Sequence, residues 1–279
     1  MSAASSMADS EPLVRIRNLT RTYVRRRGPH RTRRVEALAG VDLDVPRGSI
    51  VALVGQSGSG KSTLARCLAR LEKPTGGEIR FDGEDALALP PRRLRELRER
   101  VQLIFQDSAG ALDPRFTAAQ IVAEPLEILG RGGPGERRER TLALMESVGL
   151  APDWAGRRPL DLSGGQRQRL AIARALAVEP RLLILDEAFT GLDASIQAQI
   201  ASLLLALRRE KGLTYLLISH DLALMSVLAD EVAIMFEGRI VERGAAAGLF
   251  THARHPHTRA LVAAVPFLPE PDAAPASPP

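Results

Sequence analysis

The sequence predicts an α/β fold, a core of parallel strands with a helical insertion near the middle of the 279-residue chain. Three observations carry this. Two short apolar runs, Leu182–Leu185 and Tyr215–Ile218, have the look of central parallel strands buried on both faces. Between them Ile196, Ile200, Leu203, Leu204 and Leu207 recur at helical spacing. A third apolar run, Ile50–Val54, leads through a glycine-rich loop into a segment where Leu64, Cys67, Leu68 and Leu71 fall at i, i+3, i+4 and i+7.

The remaining elements follow in chain order. Residues 13–17 and 41–45 alternate enough to be strands, with the basic stretch Arg21 to Arg34 as the loop between them. Glu78 to Phe81 is a strand that turns at Asp82-Gly83, and Arg92 to Arg100 is a charged helix followed by the apolar run Val101 to Phe105. The segment from about 107 to 178 is mostly helical in pattern, with Leu142, Met145 and Val148 on one face of a helix that stops at Gly149. A hairpin at Glu237-Gly238 joins Val232–Phe236 to Ile240-Val241. From Pro266 the chain is rich in proline and alanine and is expected to be disordered.

Composition excludes several classes of protein. At 45% hydrophobic content the chain can bury a real core, yet no stretch reaches the roughly 18 consecutive apolar residues of a membrane span. Met1 to Ser10 lacks the basic start and apolar centre of a signal peptide, so the expected location is cytoplasmic. A single cysteine rules out an internal disulfide framework, and Cys67, on the apolar face of its helix, reads as core. The net charge of +5 comes from arginine; the run Arg21 to Arg34 could touch anionic lipid or nucleic acid, or serve as a solvated loop.

Gly55-Gln56-Ser57-Gly58-Ser59-Gly60-Lys61-Ser62, followed by Thr63, fits G-x-x-x-x-G-K-[ST] between a strand and a helix N-terminus. Backbone N–H groups at such a start point at bound phosphate, and the helix dipole favours negative charge. Lys61 reaches the terminal phosphates of a nucleoside triphosphate, and the Ser62 hydroxyl ligates Mg2+. Lysine occurs only at 61, 73 and 211, so one of the few lysines falls where a compact ammonium is wanted. Asp186 and Glu187 follow Leu182–Leu185 at the carboxyl end of a strand, where α/β sheets place ligands. Asp186 suits the metal shell, and Glu187 suits proton acceptance from an attacking water. Ser163, Gly164, Gly165 and Gln166, after Leu162, open another helix and form a second anion cradle. Since the first loop already satisfies the nucleotide, the second makes sense if it caps the nucleotide of another copy. That implies an ATP-dependent, two-fold dimer.

With these three motifs the chain resembles the ATP-binding subunits of ABC transporters over about residues 12–260. The resemblance implies a P-loop NTPase cassette with a RecA-like core, an antiparallel β subdomain and a helical subdomain at about 107–178. Residues 12–250 form the ATPase domain, 251–268 a C-terminal extension, and 1–11 and 269–279 disordered ends. It also implies roles for single residues. Gln106 senses the metal and the attacking water, and His220 sits beside the terminal phosphate. Asp193 speaks to the partner protomer, unless it only caps the helix that follows, and Tyr23 stacks on adenine.

Phe105–Ser108, Leu112–Arg115, Ala123–Leu126 and His255–Leu261 look like the dipeptide, oligopeptide and nickel importer branch, although His257 stands where tyrosine is more usual. Ala188, Phe189 and Gly191 depart from the usual residues without removing a catalytic group, and Ala188 keeps nickel open as the cargo. His252, His255 and His257 are better explained by the motif than as a metal site. The branch implies ATP and Mg2+ as cofactors and a place at the cytoplasmic face of the membrane. Its partners are membrane-spanning permease subunits, a second ATPase subunit and, indirectly, a solute-binding protein. Nucleic acid is not expected, because about 100 residues between Lys61 and Ser163 are too few for the long coiled coil of the DNA-repair relatives.

Overall fold

A computed structural model describes residues 11–26, 32–106, 110–249 and 251–265. Ten strands and nine α-helices occur among them, in two sheets. The strands are β1 (Val14–Arg26), β2 (Thr32–Val45), β3 (Ile50–Val54), β4 (Gly76–Phe81), β5 (Glu84–Asp85), β6 (Val101–Ile104), β7 (Leu182–Asp186), β8 (Thr214–Ser219), β9 (Glu231–Phe236) and β10 (Arg239–Ala245). The helices are α1 (Lys61–Leu68), α2 (Pro91–Arg100), α3 (Ala118–Ile128), α4 (Pro134–Ser147), α5 (Gly164–Leu176), α6 (Ala194–Lys211), α7 (Leu222–Leu228), α8 (Ala246–Leu249) and α9 (Pro256–Ala263).

The larger sheet has the order β10-β9-β3-β8-β7-β6. Its strands are parallel except β10, which pairs antiparallel with β9 at the edge. Strands β3, β7 and β8 are buried at every position, as their unbroken apolar runs require. Side chains still alternate between faces. Ile50, Ala52 and Val54 of β3 enter the core shared with α3, α5 and α6, while Val51 and Leu53 enter the one beneath the smaller sheet. That second sheet, β2-β1-β4-β5, is antiparallel and closes over α1, whose Leu64, Cys67 and Leu68 are buried between the sheets. Burial pushes the Cys67 thiol up to about 11, so it is an inert packing group.

Helix starts are set by short-range chemistry. Thr117 caps α3 and Ser163 caps α5, each with a glutamine three residues on (Gln120, Gln166) that reaches back to the cap's own N–H. Asp193 and Asp221 cap α6 and α7.

Two expectations need correction. The basic stretch Arg21 to Arg34 is largely strand, since β1 and β2 pair from Val14↔Val45 out to Arg26↔Thr32. Strand-forming Thr20, Thr22, Tyr23 and Val24 carry the ladder through it. Residues 27–31 of that stretch lie outside the described residues, as do Asp107, Ser108 and the tail from Pro266. Leu71 does not share the apolar face of α1. The helix ends at Leu68, Arg70 turns left-handed (φ +54°), and Leu71 emerges 52% exposed.

Candidate active site

Four strands of the parallel sheet end side by side, and their carboxyl ends assemble the site. Val54 lies opposite Ser219, Asp186 opposite Ile218, and Leu185 opposite Ile104. The residues just past those ends are Gly55, Gln106, Glu187 and His220. Parallel pairing thus gathers groups that are far apart in sequence on one edge of the sheet.

The loop from Gly55 to Gly60 wraps tightly because nothing larger than hydrogen fits at two of its positions. A Cβ on Gly55 would stand 2.1 Å from the carbonyl oxygen of Met235. One on Gly60, at φ +109°, would stand 2.3 Å from the carbonyl oxygen of Ala37. The turn of β9 and β10 backs the loop, with the Gly238 N–H donating to the Ser59 carbonyl at 3.0 Å. Lys61 is buried, and its ammonium donates to the carbonyls of Gly55 (2.7 Å) and Gln56 (2.8 Å). Burial lowers its pKa, against the pull of Glu187 and Asp186. Gln56, Ser57 and Gly58 are exposed, Ser59 is buried, and Ser62 and Thr63 occupy the first turn of α1.

Asp186 is buried, and the Ser62 hydroxyl donates to its Oδ1 at 3.1 Å. Burial raises the pKa of this carboxyl, with the Ser62 hydrogen bond acting the other way. A buried carboxylate facing a hydroxyl beside a phosphate cradle fits an oxygen-liganded divalent cation. Glu187 follows in the left-handed region (φ +52°), its N–H donating to Ile218 at 2.9 Å. That conformation is costly for glutamate and concentrates at functional sites. Its side chain is 17% exposed, and Oε2 lies 3.9 Å from Nδ1 of His220, which is 61% exposed. Gln106 is exposed at the end of β6.

Other predicted residues lie elsewhere. Ser163 and Gly164 are exposed at the start of α5, with Gly165 buried and Gln166 half-buried. Ser163 Oγ accepts from the Gln166 N–H (3.3 Å), and the Ser163 N–H donates to Oε1 of Gln166 (2.8 Å). Asp193 accepts from the Ile196 N–H at 2.9 Å, so it does cap α6. Tyr23 is half-buried on β1, with Arg21 4.6 Å from its ring centroid and its hydroxyl donating to Glu72. Sequence reasoning missed Gln197, whose amide donates to the carbonyls of Phe189 (3.1 Å) and Leu192 (3.3 Å) and so braces the loop after Glu187. A glutamine inside a helix carries no local signal of such a task. It also missed Met235 and Gly238 behind the phosphate loop; the Glu237-Gly238 turn was legible, its neighbour was not.

Residues 38–190 match the ABC transporter family. The chain belongs to that family. A Brucella ovis protein named "Putative peptide import ATP-binding protein" is 45% identical over 94% of this chain and 81% of its own length, and a Brucella abortus protein of the same description matches equally. The glutathione import ATP-binding protein GsiA of Shigella flexneri is 46% identical over 94% of this chain, which spans 42% of GsiA. Among solved structures, the ATP-binding cassette MJ0796, a dimer bound to ADP and Pi in a post-hydrolysis state, superposes with a TM-score of 0.74. It is 32% identical over 84% of this chain and 98% of its own. Clostridium perfringens cbiO1, part of the transporter complex cbiONQ, gives 0.76 at 28% identity over 87% and 92%. By family and by fold, this ABC cassette is an ATP-binding ATPase, as the motifs implied.

Proposed function

We propose that this cassette is the ATP-hydrolysing subunit of a peptide importer at the cytoplasmic face of the membrane. The observation that carries the hydrolytic part is the common edge where Lys61, Ser62, Asp186, Glu187 and His220 meet. Lys61 exchanges two backbone carbonyls for terminal phosphate oxygens, an exchange that leaves its charge paired. Ser62 and Asp186, with Gln106, hold Mg2+, which when bound neutralises negative charge on the phosphates. Glu187 accepts the proton of the attacking water, and His220 contacts the terminal phosphate beside it. Tyr23 stacks on adenine. Ser163, Gly164, Gly165 and Gln166 of a second ATPase subunit, of the same or a related chain, close over the nucleotide, with Asp193 at the boundary.

Peptide cargo is supported by the names of the relatives. Coupling to permease subunits is supported by an apolar groove of about 560 Å3 between β6, α2, α3 and α5. Leu71 (52% exposed), Phe105 (42%) and Ile128 (66%) all line it, leaving an apolar patch open to solvent. Such a groove takes the apolar face of a helix. Ile128, the most exposed of the three, is the probe of docking.

The test is uptake in cells carrying Lys61→Ala at the native locus, with a labelled dipeptide, a longer peptide and nickel. Loss of peptide uptake with nickel intact supports the proposal, whereas loss of nickel uptake alone refutes the peptide assignment. In the same cells Ile128→Asp should abolish uptake while the purified variant keeps its basal hydrolysis. Equal loss of both counts against a docking role.

A further inference from the structure

The C-terminal helix α9 lies outside the catalytic edge, yet its contacts lead to the phosphate loop. It is anchored at its start, where the Glu242 carboxylate on β10 accepts from the backbone N–H of Arg254 (2.7 Å) and of His255 (3.0 Å). His255 caps the helix by accepting from the His257 N–H at 3.2 Å, and Leu261 and Val262 pack against the core. This anchoring holds the His257 ring against Phe236, with centroids 4.1 Å apart and planes inclined by 33°. Nε2 of His257 is buried without a hydrogen-bond partner, and burial lowers the ring's pKa. An unpartnered buried nitrogen costs stability.

Phe236 ends β9, and the residues around it form the wall behind the phosphate loop. Met235 limits Gly55 through its carbonyl oxygen and Gly60 through its Cε, 2.8 Å from where a Cβ would stand. Beyond Phe236, Glu237 (φ +46°) and Gly238 (φ +76°) make a tight two-residue turn. A left-handed glutamate is strained and persists only where surrounding contacts over-determine it. The Gly238 N–H on Ser59 and the Gly238 carbonyl, which accepts from the Ala39 N–H at 2.9 Å, hold the turn on one side. The His257 ring holds Phe236 on the other.

We propose that His257 is a positioning residue for ATP binding: its ring clamps Phe236, which keeps the 235–238 turn against Ser59 and the phosphate loop in its closed form. The C-terminal extension then serves as a brace for the nucleotide site. This rests on the phosphate loop being the ATP site, and the test separates the two statements.

Binding of a fluorescent ATP analogue with Mg2+ is titrated on the full chain, and Tm is measured on the same samples. His257→Ala should weaken binding by about three- to tenfold, the worth of a ring–ring contact. His257→Phe, which keeps a ring there, should restore it to within about twofold. Leu261→Ala, on the same helix but facing the core, should lower Tm without moving the affinity. The brace is overturned if His257→Ala binds as tightly as the unaltered chain, or if Leu261→Ala weakens binding as much. Should His257→Ala not fold, Phe236→Leu removes the other ring and reads the same contact. Lys61→Ala should abolish binding; if it does not, the ATP-site reading fails first.

Discussion

At residues 55–62 the backbone is enclosed: Met235 and Ala37 crowd its glycines, Gly238 bonds Ser59, and Asp186 waits beside Ser62. At residues 163–166 the same ingredients, glycines and a hydroxyl at a helix start, stand mostly in solvent, and the Ser163 hydroxyl caps its own helix. The first cradle is enclosed by residues of its own chain. The second offers a hydroxyl and a glycine to solvent, which fits the proposal that it closes over the nucleotide of another subunit. Glycine packs against protein in both, but differently: Gly55 and Gly60 meet backbone carbonyls, whereas Gly165 meets the Ile196 side chain and Gly164 only Leu192 Cδ2 at 3.5 Å.

The comparison can be broken at several points. The largest effect is expected at Glu187, on the sheet edge beside the first cradle. Glu187→Gln should lower the hydrolysis rate by about 10²-fold or more while preserving ATP binding. With turnover blocked, the second cradle of one copy should stay closed on the ATP of another. A phosphate-release assay and gel filtration with ATP check both; full-rate hydrolysis would remove Glu187 from the mechanism.

A paired substitution sharpens the contrast between the glycines. Gly55→Ala puts a methyl 2.1 Å from a backbone carbonyl and should cost about 3 kcal/mol or more, with loss of nucleotide binding. Gly164→Ala meets only Leu192 Cδ2 at 3.5 Å, an ordinary contact, so its unfolding free energy should stay within about 0.5 kcal/mol of the parent. Its hydrolysis should still fall if, as proposed, another subunit's nucleotide meets this exposed side. Urea denaturation beside hydrolysis assays separates the cases, and equal destabilisation by both would erase the distinction.

The smallest effect concerns Asp186. Its folded pKa is raised by burial, so the folded chain binds the proton more tightly than the unfolded chain. The stability linked to this group is therefore present at low pH and lost as pH rises through the raised value. In its ionised form the buried carboxylate opposes folding until a cation meets it. Asp186→Asn keeps an acceptor for Ser62 and should raise the Tm of the nucleotide-free chain by about 1–4 °C at pH 7. The gain should shrink as pH falls and disappear when ATP and Mg2+ are added to both proteins. A lower Tm for the variant at pH 7 would contradict this.

Much of the site was legible because its parts are local. The phosphate loop, the Asp186-Glu187 pair and the Ser163–Gln166 turn each combine a strand or helix end with residues a few positions away. The caps on α5 and α6 are of the same kind, and they show that Ser163 and Asp193 have structural tasks alongside any partner role. The long pairing of β1 with β2 was hidden by arginines that conceal threonine and valine at strand positions. Leu71 was misplaced because apolar spacing continues past the point where α1 ends, and periodicity does not register a left-handed Arg70.

By itself, the sequence marked the candidate groups, since glycines, a lysine and carboxylates stand at fixed short spacings beside strand and helix ends. Only the tertiary structure decided how they are held. Met235 and Gly238 reach the phosphate loop from far along the chain, and Gln197 braces the loop after Glu187 across a turn of α6. Leu71, Phe105 and Ile128 converge on one groove, and His257 meets Phe236. These contacts arise from strand register and helix docking, where each partner is chosen by shape and burial and neither carries a local mark of the other.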